Sequence, residues 1–77
     1  MNDKELLYLI GTGYALPEAL AKEIDISIFE AQNIFSRLER EGLVEEYEFS
    51  IPVLGNPNAV KNKYILTDEG KEYAGLD

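Results

Sequence analysis

The amino-acid sequence predicts a single small α+β domain with three helices, a two-stranded β-hairpin and a short final helix. Apolar residues recur at helical spacing as far as Gly42 and then alternate with polar residues from Val44 to Ile51. A capping residue, Thr67, precedes an acidic helical turn near the end of the chain. The 77 residues leave room for one core, so we expect one domain over residues 1–77.

The first helix is predicted from residue 3 to about residue 11, with Asn2 or Asp3 as its N-cap. Tyr8 and Leu9 make this helix apolar almost all round, which is more than one buried stripe requires. We therefore expect its outer side to meet a partner, such as a second copy of the chain. The residues predicted to face the core are Leu6, Leu7 and Ile10.

The second helix is predicted to begin at Pro17, because proline suits the first helical position. Before it, "GTG" at 11–13 ends the first helix, and residues 14–16 are predicted to form a very short strand. A phosphate-binding loop is the alternative interpretation of Gly11 and Gly13. After the helix, "DIS" at 25–27 is a tight turn, and Asp25 tolerates its left-handed conformation.

The third helix is predicted over residues 27–41. Ser27 followed by Glu30 matches the capping-box pattern, and Gly42 accepts the left-handed conformation that ends a helix. Together with the second helix it forms a helix-turn-helix over about residues 17–41. Its predicted core stripe is Ala31, Ile34, Phe35 and Leu38.

A β-hairpin over about residues 43–66 is predicted to follow. Tyr47, Phe49 and Ile51 share one face of its first strand, residues 52–60 form a loop, and "NKYILT" at 62–67 is the second strand. Thr67 then caps the last helix. Gly70, inside that helix, indicates close backbone packing.

Three motifs in this order resemble the winged helix-turn-helix family of DNA-binding proteins. They are "LAKEIDIS" at 20–27, "FSRLEREGLV" at 35–44 and "YILTDEGKEY" at 64–73. The chain is similar to small MarR-like and PadR-like transcriptional regulators of bacteria and archaea. "LTDEGKEYAGL" at 66–76 also resembles the winged-helix region of archaeal-type phenylalanyl-tRNA synthetase alpha chains. Asp25 departs from the usual Gly or Asn of the turn, and its charge would lie near a phosphate backbone.

The resemblance implies that the third helix enters the major groove of DNA with its outward face. Asn and Gln side chains can bond adenine, Arg can bond guanine, and Ser can bond bases or phosphates. Glu30 could accept a hydrogen bond from cytosine, although a capping role is the alternative. Phe29 could instead pack under the first strand or anchor a protein partner. The DNA-binding residues predicted on this helix are Ser27, Phe29, Gln32, Asn33, Ser36, Arg37 and Arg40.

The formal net charge of −8 disfavours non-specific binding to nucleic acids, but the cations are unevenly distributed. Residues 51–67 contain no acidic residue, and Lys61 and Lys63 lie there. With Arg37 and Arg40 they place four of the seven cations on the side of the third helix and the wing. We predict that Lys61 and Lys63 contact phosphates. Cross-strand pairing of these lysines with the glutamates of residues 45–48 is the alternative.

The composition argues against enzymes and against membrane proteins. Without cysteine or histidine the chain lacks thiol nucleophiles, imidazole bases and the usual zinc ligands, so we expect no enzymatic activity, no metal site and no cofactor. The longest apolar run, residues 6–10, is far too short to span a membrane, and Asp3 and Glu5 do not suit a signal peptide. A cytoplasmic location is expected.

These observations predict a sequence-specific regulator of transcription that binds double-stranded DNA. It is expected to act as a homodimer through the first and last helices, with Tyr73 and Leu76 at the contact. An acidic protein-interaction module, or a subunit of a larger complex, is the alternative. The sequence shows no recognisable set of cavity-lining residues for an effector, so ligand sensing stays open.

Overall fold

The computed structural model describes residues 1–50 and 60–76, and at positions 49, 50, 60 and 61 it describes the backbone alone. The predicted loop after residue 51 lies outside the described residues. Within the described residues, four helices and one antiparallel two-stranded hairpin form an α+β domain with the element order of a winged helix. The elements are α1 Asp3–Thr12, α2 Pro17–Ile24, α3 Ile28–Arg40, β1 Val44–Ser50, β2 Val60–Leu66 and α4 Asp68–Ala74.

Helix α1 begins and ends close to the predicted positions. The Asn2 side chain caps it by accepting a hydrogen bond of 2.9 Å from the Glu5 N–H, and Gly13 ends it at a φ of 140°. The strand predicted at 14–16 is not formed. Instead, the Ala15 carbonyl accepts one hydrogen bond of 2.9 Å from the Tyr64 N–H, because α2 begins only two residues later.

The turn between α2 and α3 has the predicted geometry. Asp25 adopts the left-handed conformation, with φ 56° and ψ 54°. The Ser27 hydroxyl caps α3 by accepting a hydrogen bond of 3.1 Å from the Glu30 N–H. Within the described residues, the Glu30 side chain makes no reciprocal bond, so only one half of the predicted capping box forms.

The core lies where α1, α2, α3, the base of the hairpin and α4 meet. Phe35 is completely buried and stacks on Tyr64, with 4.4 Å between ring centroids and 27° between ring planes. Of the stripe predicted on α3, Ile34 is only partly buried, while the other residues are buried. The buried cluster comprises Leu6, Leu7, Ile10, Leu20, Phe35, Leu38, Val44, Leu66 and Ala74.

The register of the hairpin decides which side chains share a face. Val44 lies opposite Leu66 and is buried, so the face that carries this pair points toward the core. Tyr47 lies opposite Lys63 on the other face. Strand β2 begins at Val60, two residues earlier than predicted.

The junction between α3, the hairpin and α4 is tightly bonded. The Thr67 hydroxyl accepts a hydrogen bond of 3.1 Å from the Gly70 N–H and donates one of 2.6 Å to the Gly42 carbonyl. The Thr67 N–H bonds the Leu43 carbonyl at 3.1 Å. A Cβ on Gly70 would overlap this same Leu43 carbonyl oxygen. The predicted close backbone packing of Gly70 is therefore confirmed.

None of the described helices could span a membrane. The longest, α3, has only 13 residues.

Candidate functional site

The exposed face of α3 carries most of the side chains that are predicted from the sequence to bind DNA. These residues lie away from the buried stripe because successive residues of a helix are about 100° apart. Their side chains make no hydrogen bond or ion pair within the described part of the chain, so their polar groups are open to a ligand. The members of this surface, called here the α3 face, are Phe29, Gln32, Asn33, Ser36 and Arg40.

Phe29 is the most conspicuous residue of the α3 face. Its side chain is 74% exposed, although a phenylalanine normally gains stability by burial. The possibility that it packs under the first strand is thereby excluded. A thymine methyl or an apolar group of a protein partner could each cover the ring.

Ser27 lies at the start of α3 and is exposed. Its hydroxyl oxygen is already used as the helix cap, accepting from Glu30. The hydroxyl proton can still be donated to an acceptor such as a phosphate oxygen. Contact with DNA stays a prediction for this residue.

Arg37 is held by α1 rather than presented with the α3 face. Its Nη2 and Nη1 atoms donate to Oδ1 and Oδ2 of Asp3 at 2.8 and 2.9 Å, a two-pronged pairing that matches the planar guanidinium. Nη1 also lies 3.5 Å from Oε1 of Glu41. The carboxylates of Asp3 and Glu41 thus offset the charge of Arg37. The pairing with Asp3 was not predicted from the sequence around Arg37. Thirty-four residues separate Arg37 from Asp3, and no local pattern signals such a pair.

The pairing shifts the titration of both partners. The hydrogen bonds from Arg37, and then its positive charge, hold the pKa of the Asp3 carboxyl below the usual 3.8. The hydrogen bond to Asp3 and the two negative charges raise the pKa of Arg37 in turn. Arg37 therefore stays charged at every pH at which the domain can be studied.

The Asp3 to Arg37 bridge predicts a pH-dependent contribution to stability. Because folding lowers the pKa of Asp3, the contribution is present above pH 3.8 and is lost as the pH falls through the lower folded-state value. Both side chains are about one third exposed, so we expect a coupling of only about 0.5–1 kcal/mol at pH 7. Urea unfolding of Asp3→Asn, Arg37→Gln and the double variant measures this coupling. A coupling that is equally large at pH 7 and at pH 2.5 would contradict the assignment.

Arg40 remains as the basic residue of α3 that makes no ion pair within the described residues. It is exposed, whereas the neighbouring Glu39 and Glu41 reduce the positive potential around it. Of the two arginines predicted to bind DNA, Arg37 is thus paired with carboxylates and Arg40 is not, within the described residues. DNA contact by Arg37 and by Arg40 stays a prediction.

On the hairpin, the register places the lysines opposite aromatic residues. Lys63 lies opposite Tyr47, and Lys61 occupies the position opposite Phe49, although its side chain lies outside the described residues. Glu46 and the position of Glu48 belong to the other face, because they lie opposite Tyr64 and Asn62. Direct cross-strand pairing of Lys63 with these two glutamates is therefore excluded, whereas Glu45 lies on the same face as Lys63.

Glu46 has different partners. Its Oε1 accepts a hydrogen bond of 2.7 Å from Asn62 Nδ2, and its Oε2 lies 3.5 Å from the Tyr64 hydroxyl. Burial, followed by the charges of Glu46 and Glu39, raises the pKa of Tyr64 above the usual 10.0. Tyr64 therefore stays a neutral hydrogen-bond donor at physiological pH.

The surface proposed for dimerisation contains two exposed aromatic residues. Tyr8 on α1 is 52% exposed and Tyr73 on α4 is 54% exposed, and the two helices pack against each other. Leu9 and Leu76 are partly buried against the core of the same chain. The tyrosines are therefore better placed than the leucines to meet a second copy.

Comparison with known proteins finds a similarity to part of a tRNA ligase subunit. No protein-family model matches the chain, and no solved structure matches it at a significant level. The chain is 36% identical over 69 residues to the phenylalanine–tRNA ligase alpha subunit of Methanopyrus kandleri. The aligned segment covers 90% of this chain and 11% of that subunit. The resemblance of residues 66–76 to such alpha chains thus extends over most of the chain, whereas membership in the MarR-like or PadR-like groups stays a prediction.

Proposed function

We propose that this chain is a winged-helix module that binds double-stranded DNA with α3 in the major groove, as a small transcriptional regulator does. The observation that supports this most directly is the α3 face. It presents amide, hydroxyl and guanidinium groups without partners in the described fold, and these groups match the hydrogen-bonding edges of bases. Gln32 and Asn33 would bond adenine, and Arg40 would bond guanine or a phosphate.

The shape of the site favours DNA over RNA as the duplex. The similarity to part of a tRNA ligase subunit makes an RNA helix a reasonable rival. The major groove of A-form RNA, however, is deep and narrow, and side chains of a docked helix do not reach its base edges. The wider major groove of B-form DNA admits a helix such as α3.

The available charge limits how tightly this module could hold a phosphate backbone. Because Arg37 is bound to Asp3, the phosphate contacts are assigned in this proposal to the other three cations, Arg40, Lys61 and Lys63. Three phosphate contacts correspond to a log–log salt slope of about −2.7 for one chain, or roughly −5 for a dimer. Binding would therefore rely on base contacts made by the α3 face.

Fluorescence-anisotropy titration of a random-sequence DNA duplex pool, at several salt concentrations, tests the proposal. Arg40→Gln is expected to make the slope shallower by about 0.9 for each chain bound, because one phosphate contact is lost. Lys4→Gln removes the same charge from the exposed side of α1 and is the matched control, with no expected change. Absence of saturable binding at low salt, or equal effects of the two substitutions, would contradict the proposal.

Sequence-specific contacts with bases are tested by a second measurement, the affinity for a duplex selected from that pool. Asn33→Ala is expected to weaken binding to the selected duplex by about 1–3 kcal/mol while leaving binding to a scrambled duplex unchanged. An RNA duplex of the selected sequence should bind no better than the scrambled DNA. Tighter binding to the RNA duplex would instead favour an RNA helix as the ligand of this module.

Dimerisation forms part of the proposal, because one module of 77 residues buries little surface on DNA and paired half-sites need two modules. We expect the contact to include the exposed Tyr8 and Tyr73. Sedimentation equilibrium at tens of micromolar should detect the dimer, and Tyr8→Ser should weaken it. A monodisperse monomer would contradict this assembly.

The second candidate function is a protein-interaction module within a larger complex. The 74% exposure of Phe29 and the similarity to a small segment of a much longer subunit support it. In this case Asn33→Ala would leave every duplex affinity unchanged. The DNA titrations therefore separate the two candidates.

A further inference from the structure

Arg37 lies at the border of the α3 face, beside two of its members. It follows Asn33 by four residues and precedes Arg40 by three, so both are its neighbours on the helix surface. The Arg37 side chain is 38% exposed, so it is neither enclosed in the core nor fully open to solvent. A duplex docked on the α3 face would bring phosphates to the border of that face, because the two backbones flank the groove that a helix enters.

Asp3 offers Arg37 the same kind of contact that a phosphate would offer. Both Oδ atoms of Asp3 accept hydrogen bonds from the guanidinium, at 2.8 and 2.9 Å, in the bidentate arrangement that arginine also forms with phosphate oxygens. Glu41 adds a longer contact of 3.5 Å. The edge of the guanidinium that faces Asp3 cannot face a phosphate at the same time, so the two contacts compete.

The bridge between Asp3 and Arg37 is of a kind that can open. The side chains are 29% and 38% exposed, so water replaces part of what each loses when they separate. Opening a buried pair would instead leave an unpaired charge in the core, at a much larger cost. Asp3 is the first residue of α1 and Arg37 lies on α3, so the contact joins two helices through side chains alone. Rotation of these side chains is enough to break it.

We propose that Asp3 limits the affinity of the α3 face for DNA by competing with phosphates for Arg37. While the bridge is closed, Arg37 adds no phosphate contact, and its opening adds one sequence-independent contact for each chain. The inference rests on the proposed function, because it concerns regulation of the same site. It differs from a purely structural role for Asp3 in the sign of the effect. Loss of a residue that only supports the fold would weaken DNA binding, whereas loss of Asp3 should tighten it.

Anisotropy titrations of the random-sequence duplex pool with Asp3→Asn and with Glu5→Gln test this inference. Each substitution removes one negative charge from the first turn of α1, but the Glu5 side chain makes no hydrogen bond or ion pair within the described residues. At physiological salt, Asp3→Asn is expected to raise the affinity about two- to fivefold more than Glu5→Gln does, because the bridge no longer opposes binding. Its log–log salt slope should be steeper by about 0.9 for each chain bound, whereas Glu5→Gln should leave the slope unchanged.

The same two substitutions in an Arg37→Gln background show whether Asp3 acts through Arg37. There, Asp3→Asn should raise the affinity no more than Glu5→Gln does, because no guanidinium remains to be released. Circular dichroism verifies that each variant is folded before titration. If the parent chain binds the pool, the inference alone is overturned by equal effects of the two substitutions, by weaker binding of Asp3→Asn, or by an Asp3→Asn effect that persists without Arg37. If neither the parent chain nor Asp3→Asn binds at low salt, the proposed function fails and the inference fails with it.

Discussion

Gly70→Ala is expected to destabilise the domain by about 3 kcal/mol or more, because the added Cβ would collide with backbone rather than with a movable side chain. The atom in its way is the Leu43 carbonyl oxygen, which also accepts the hydrogen bond from the Thr67 N–H. To relieve the overlap, α4 would have to move away from the segment that connects α3 to the hairpin. The favourable helix propensity of alanine, about 1 kcal/mol, is too small to offset this.

Gly11→Ala is the matched control, since Gly11 is also a helical glycine with close neighbours. Its neighbours are the δ-carbons of Leu76 and Leu66, which can rotate away. We expect a change of no more than about 1 kcal/mol at this position. Thermal and urea unfolding monitored by circular dichroism measures both variants. Equal destabilisation of the two would show that backbone overlap at Gly70 is not the decisive feature.

Phe35→Ala is expected to have the other large effect, a loss of about 3–5 kcal/mol. The Phe35 side chain is completely buried, and its ring stacks on Tyr64, so the substitution removes the contact between α3 and β2 together with the buried area. A domain of this size has a total stability of only roughly 4–12 kcal/mol. We therefore expect a large drop in Tm and partial unfolding at 37 °C.

Phe29→Ala is the control in the same helix. Phe29 is 74% exposed, so removal of its ring should change the free energy of unfolding by less than about 0.5 kcal/mol. Phe35→Leu, which keeps most of the buried volume and loses the stacking, should fall between the two. A Phe29→Ala variant as unstable as Phe35→Ala would contradict the burial assigned to these two residues.

Much of the fold could be predicted from local patterns because those patterns have local physical causes. Ser27 and Thr67 cap helices through hydrogen bonds to N–H groups three residues later. Asp25 adopts a left-handed turn conformation that suits its short polar side chain. The order of the elements and the exposure of Gln32, Asn33 and Ser36 follow from the same periodicity that places Phe35 inside.

Features that depend on residues far apart in the chain were not predictable in this way. The strand expected at 14–16 is reduced to one hydrogen bond, which the Ala15 carbonyl accepts from the Tyr64 N–H, since the spacing to β2 is decided by the packing of α1 and α2. The register of the hairpin, which separates Lys63 from Glu46, depends on which residue of β1 pairs with which residue of β2.

Arg37 shows most clearly what sequence and tertiary structure each determine. Helical periodicity by itself places it beside Asn33 at the edge of the outward face, and its charge makes it a reasonable ligand for DNA. Only the packing of α1 brings Asp3 to within 2.8 Å of its guanidinium. Sequence determines the helices and their faces because backbone and side-chain preferences act locally. Tertiary structure decides which charges remain available, because ion pairs depend on distance in space rather than along the chain.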